Sequence, residues 1–170
     1  MPAKIPKPPP LSMAIQVAGL RNSFPSGAAT WNRNRVTWRG KIVPSEYSRA
    51  YTVELIYEQG SVPRVWVRDP NLKELAGERS LPHVYDEKEQ ELCLYLPHCG
   101  LWGAEKSVAS TVMLWACLWL YYFELWLVSN VWSGRGEHPA QPLRPLGSPL
   151  PGRPPQNNQQ PEWVGAALRR

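Results

Sequence analysis

Ser107–Ser129 reads SVASTVMLWACLWLYYFELWLVS, and the placement of this stretch decides the fold. Seventeen residues, Ser107 to Phe123, carry no charge. That length is at the lower edge of what crosses a bilayer, and Glu124, which closes the run, would cost about 2.5 to 3.5 kcal/mol if centred in lipid. Trp115, Trp119, Tyr121 and Tyr122 also crowd its middle, whereas spanning helices hold such residues at the two interfaces. The stretch is therefore read as the buried helix of a soluble core, about 35 Å long at 1.5 Å per residue. Trp115, Trp119, Tyr122 and Trp126 form a stripe that would lie on the apolar face of a sheet, and Gly134 can close the helix.

Working outward, the sheet is legible in the alternation upstream. In Val36–Ile42, Val36, Trp38 and Ile42 point one way while Thr37, Arg39 and Lys41 point the other. Tyr51, Val53, Leu55 and Tyr57 alternate with Thr52 and Glu54, and Arg64–Arg68 alternates around Val65 and Val67. The connections are short and contain Gly60 and Pro63, so a four-stranded antiparallel meander with one wet face is expected. Ahead of it, Met13, Val17 and Leu20 have helical spacing, with Ser12 as N-cap and Gly19 and Phe24-Pro25 stopping the helix early. After Asp69-Pro70 comes an irregular region of about twenty residues, broken only by Leu92-Cys93-Leu94-Tyr95-Leu96.

The prolines mark the ends of the domain. Five of the nineteen fall in the first ten residues and eight between Pro139 and Pro161. Residues 1–10 read as a disordered proline-rich arm, 11–138 as one α+β domain, and 139–170 as a disordered Pro/Gln-rich tail. The net charge of +5 permits an acidic partner, but the arginines are scattered and no aromatic-basic run marks a nucleic-acid surface, so no nucleic acid is expected. Three cysteines and no secretory leader point to free thiols in a cytoplasmic protein. No membrane contact is expected.

The chemistry concentrates in LPHVYDEKEQELCLYLPHCGLWG, Leu81 to Gly103, which holds two of the three histidines and two of the three cysteines. Zinc on His83, Cys93, His98 and Cys99 is disfavoured because the adjacent His98-Cys99 pair strains tetrahedral coordination, and neither metal nor cofactor is expected. A hydrolytic Cys-His pair needs a contact that spacing cannot show. Composition and periodicity alone favour Cys93 as a small buried strand residue. Acyl transfer through a thioester is the fourth reading.

A resemblance bears on that choice. The order Pro63, Pro70, His83-Val84-Tyr85, Leu92-Cys93-Leu94 and Trp102, with His83 ten residues before Cys93, resembles the active-site region of ubiquitin-conjugating enzymes, over about Val36 to Trp132. A closer similarity is to the bacterial branch that accompanies cyclic-oligonucleotide antiphage signalling (CBASS) operons. Pro82–Tyr85, Leu92–Tyr95, Glu124–Leu127 and Trp132–Gly134 carry it. The resemblance implies the ubiquitin-conjugating fold and Cys93 as the nucleophile that accepts the C-terminus of a protein partner. That partner would be the operon's nucleotidyltransferase (CD-NTase) or a ubiquitin-like protein, with an activating enzyme as a further possible partner. His83 would shape the loop. Tyr85 stands where the family has asparagine, and as a phenol it can donate to an oxyanion. His98 is a candidate base, Cys99 an accessory thiol, Cys117 and His138 structural. The competing expectations are an inactive relative of the same fold that binds a peptide and, third, a single-pass membrane protein.

Overall fold

The structure, a computed structural model, describes residues 8–96 and 100–134. Its elements run α1 (Met13–Ser23), β1 (Gly27–Trp31), β2 (Arg35–Ile42), β3 (Tyr51–Glu58), β4 (Arg64–Asp69), α2 (Leu72–Ala76), β5 (Val84–Asp86), β6 (Glu91–Leu92) and α3 (Val112–Ser129). All strand pairs are antiparallel, in the spatial order β1-β2-β3-β4-β6-β5. β2, β3 and β4 lie where the alternation places them, and β1, which no alternating pattern marks, completes a four-stranded meander. Two short strands extend it where an irregular loop was expected, and α2, started by the Asn71 side chain capping Lys73 and Glu74, fills the connection between them and β4.

Alternation does what the strand patterns predict. Val36 and Trp38 of β2 lie opposite Tyr57 and Leu55 of β3, and Leu55 and Val53 face Val65 and Val67 of β4, all buried on one face. Trp38 lies across the Gly27–Gly40 pair, and a Cβ at Gly27 would sit 2.2 Å from its ring. Those two positions are glycine because the indole takes the side-chain space. On the outer face Trp66 is nonetheless buried, because Arg64 and Arg68 stack over its ring at 5.0 and 5.3 Å.

α1 begins at Ser12, whose hydroxyl accepts the Ile15 amide, but it runs through Gly19 to Ser23 and so is longer than expected. Its buried face adds Gln16 to Met13, Val17 and Leu20. Gln16 donates to the Lys106 carbonyl at 3.0 Å and accepts the Val108 amide at 2.9 Å, joining α1 to the segment before α3.

α3 differs from expectation in three ways. It starts at Val112 rather than Ser107, because Thr111 donates to the Ser107 carbonyl and the Met113 amide bonds Val108, forming turns instead of helix. Its buried face is Val112, Met113, Ala116, Trp119, Leu120, Phe123 and Trp126, with Trp115 and Tyr122 at the flanks. It ends at Asn130, in the left-handed conformation that caps a helix, not at Gly134. Arg79 stacks on Trp126 at 4.3 Å and donates to the Trp126 and Leu127 carbonyls and to Asn130, placing a cation at the helix C-terminus. By length and composition α3 could cross a membrane, but its inner face is in the core. The tail and His138 lie outside the described residues, as do His98, Cys99 and most of the arm.

Candidate functional site

Cys93 follows β6 by one residue. β6 itself is held on one side by β4, through Trp66 opposite Glu91, and on the other by β5, through Val84 opposite Leu92. The pairing continues one step past both strands: the Cys93 amide donates to the His83 carbonyl at 2.9 Å. That carbonyl also accepts the indole N–H of Trp119 from α3, at 3.0 Å. His83 is buried, has a φ of 48°, and stacks its ring on Trp132 at 5.1 Å. A non-glycine residue held at positive φ is over-determined by its surroundings, and here those are the β5–β6 pair and two tryptophans.

Tyr85, on β5, is 45% exposed, in contrast to Cys93 at 7%. The phenol donates to the Tyr95 carbonyl at 3.0 Å and lies close enough to the Cys93 sulfur to influence its titration. Burial pushes the Cys93 thiol up, the Tyr85 phenol opposes that by stabilising the thiolate, and the Glu91 carboxylate adds to the upward push. The Tyr85 hydroxyl is in turn pushed up, by burial first and by the sulfur second. Tyr95 closes the loop behind the cysteine: its hydroxyl donates to the Pro63 carbonyl at 3.3 Å and its ring lies 5.2 Å from that of Trp115.

Glu91, two residues before the cysteine, is buried and forms a two-pronged ion pair with Arg64 from β4. Gln90, also buried, donates to the Val67 carbonyl at 2.8 Å and accepts the Leu72 amide. The residues flanking Cys93 on its N-terminal side are therefore tied to β4 and α2.

Of the residues singled out in the sequence, the fold brings Cys93, His83 and Tyr85 together; His98 falls outside the described residues. Trp119, Glu91 and Arg64 belong to the same constellation and were not anticipated. The Arg64–Glu91 pairing could have been suspected from the opposite charges on apolar strands, whereas nothing local foretells that Trp119 reaches the backbone carbonyl that holds the Cys93 amide. Cys117 is half-buried in α3, with its thiol pushed up by burial. Among the described residues no group of three or more His, Cys, Asp or Glu side chains could hold a metal ion.

Compared with known families, residues 16–139 match the family model E2-CBASS, described as Type II CBASS E2 protein. No curated protein matches the chain.

Proposed function

The chain belongs to the Type II CBASS E2 protein family, and from that premise we propose that it adopts the ubiquitin-conjugating fold and carries a protein C-terminus as a thioester on Cys93. Membership gives it an E2-like role in CBASS. The reading is supported above all by the setting of Cys93, whose amide is fixed on the His83 carbonyl at 2.9 Å with the half-exposed Tyr85 phenol close by, on the Tyr95 carbonyl at 3.0 Å.

In the proposed step the Cys93 sulfur attacks the carbonyl carbon of an activated C-terminus, either an acyl adenylate made by an activating enzyme or an existing thioester. The S–C bond forms as the bond to the adenylate oxygen or donor sulfur breaks, and the thiol proton passes to solvent or to His98 as the proposed base. A buried thiol resists losing that proton, so stabilisation of the thiolate by Tyr85 matters. The phenol has one proton to give, and at rest it goes to the Tyr95 carbonyl. Turning it toward sulfur, and then toward the oxyanion, exchanges that bond for a charge-assisted one. His83 acts through its carbonyl, as a positioning residue. The proposed donor is the CD-NTase C-terminus, or a ubiquitin-like one, in the cytoplasm.

A second reading, an inactive interaction module, is favoured by the burial of Cys93. Mixing the chain with its nucleotidyltransferase and an activating enzyme separates the two on a non-reducing gel. A thiol-sensitive adduct that Cys93→Ala removes supports the carrier, and its absence with every donor supports the inactive module.

A further inference from the structure

The Arg64–Glu91 ion pair stands beside Cys93. Trp66 of β4 lies opposite Glu91 of β6, and the same antiparallel register carried two residues on sets Arg64 opposite Cys93. The Cys93 amide still pairs with the His83 carbonyl, so the strand geometry holds through that residue. Leu92 and Val65 turn into the core. Their neighbours, Glu91 and Cys93 on one side and Arg64 and Trp66 on the other, therefore turn to the outer face. A carboxylate, a guanidinium and a thiol share one corner of the sheet.

The two charges are not equally solvated. The Glu91 side chain is 9% exposed and that of Arg64 56%, and the guanidinium reaches the carboxylate through Nε at 2.6 Å and through Nη2 while lying over Trp66. A carboxylate shielded from water acts on its neighbours through protein, where a charge is felt far more strongly than through solvent. A thiolate forming two residues along the same face is opposed by it, and the upward push of Glu91 on the Cys93 thiol has that sign. Arg64 offsets the carboxylate at its source. Among the described residues no other permanent cation faces the sulfur: Tyr85 and His83 come from β5, Tyr95 follows the cysteine, and α3 brings Trp119.

We propose that the Arg64–Glu91 pair sets the reactivity of Cys93, the carboxylate restraining the thiolate and the guanidinium limiting that restraint. The inference rests on the reading of Cys93 as the nucleophile, but its test reads the thiol alone and so can fail while the carrier reading stands. Either partner's loss breaks the same ion pair. If the pair only held β4 to β6, both losses would move Cys93 in one direction, whereas an effect of charge has opposite signs for the two.

Iodoacetamide labelling of the folded full chain over a pH series, with the labelled site located by tandem mass spectrometry, tests this. In Arg64→Ala the carboxylate is uncompensated and the thiol keeps its proton to higher pH, so labelling of Cys93 at a fixed pH below 9.0 slows by about tenfold, the equivalent of one pKa unit. In Glu91→Gln the restraint is gone and the guanidinium is released toward the sulfur, so labelling quickens by a similar factor. Arg64→Lys keeps a cation and stays near the wild type, which covers the case of an Arg64→Ala chain that does not fold. Shifts of Arg64→Ala and Glu91→Gln in the same direction overturn the proposal, and so do profiles that superimpose on the wild type. Opposite shifts in a chain that forms no thioester with any donor uphold the proposal and overturn the carrier reading instead.

Discussion

The main-chain carbonyl of His83 accepts the amide of Cys93 at 2.9 Å, so the histidine and the cysteine ten residues apart are joined through backbone. The same oxygen takes the Trp119 indole proton, which ties the segment that holds Cys93 to the long helix. Trp119→Phe keeps a ring against Phe123 but removes that proton. It is expected to lower stability by about 1–3 kcal/mol, the range for a buried hydrogen bond broken on one side, read as a reduced urea midpoint. An unchanged midpoint would mean the bond contributes nothing.

Tyr85→Phe removes the one influence that holds the Cys93 thiol down, leaving burial and Glu91 to push it up. The rate of Cys93 alkylation by iodoacetamide is then expected to rise only at a higher pH than in the wild type, while the fold, with Tyr85 half exposed, is retained. Superimposable pH profiles would remove Tyr85 from the site.

Arg64→Ala leaves the Glu91 carboxylate buried without its ion partner. Because Arg64 is itself largely exposed, the loss is expected at about 1–3 kcal/mol, below that of a fully buried pair. Adding Glu91→Gln should recover part of it, and thermal unfolding of the two variants checks both.

Alkali should destabilise the chain. The thiols of Cys93 and Cys117 and the phenol of Tyr51 are pushed above their ordinary values of 9.0 and 10.0 by burial, and Tyr95 is pushed up to about 12. The folded chain therefore keeps protons that the unfolded chain has released, and its stability falls as pH rises through this range. Urea midpoints are expected to be level below pH 9.0 on this account and to decline steadily above it. Tyr51→Phe should flatten the decline.

How far the sequence reveals this structure depends on where the information lies. β2 and β3 were legible because Val36, Trp38, Val53 and Leu55 alternate with polar neighbours across eight-residue strands. β1 was not, since Gly27–Trp31 carries almost no buried side chain and owes its place to pairing with β2 and to Trp38 resting on Gly27. β5 and β6 are three and two residues long, too short for any period to register, and are held by Gln90 and by the His83–Cys93 bond. The start of α3 was misplaced because Ser107 and Thr111, apolar in neighbourhood but not in chemistry, bond to each other. At the site, the spacing of His83 and Cys93 suggested their relation through family resemblance alone. The contacts of Trp119 and Arg64 span 36 and 27 residues and belong to tertiary structure.

Intact-mass spectrometry of the chain co-expressed with the proposed donor nucleotidyltransferase and an activating enzyme tests the proposed thioester most directly. The account predicts a covalent adduct through the partner's C-terminal residue, cleaved by neutral hydroxylamine, replaced in Cys93→Ser by an ester that resists it, and missing in Cys93→Ala. An adduct that survives Cys93→Ala, or wild-type chain recovered only at its own mass with an active donor present, would contradict it.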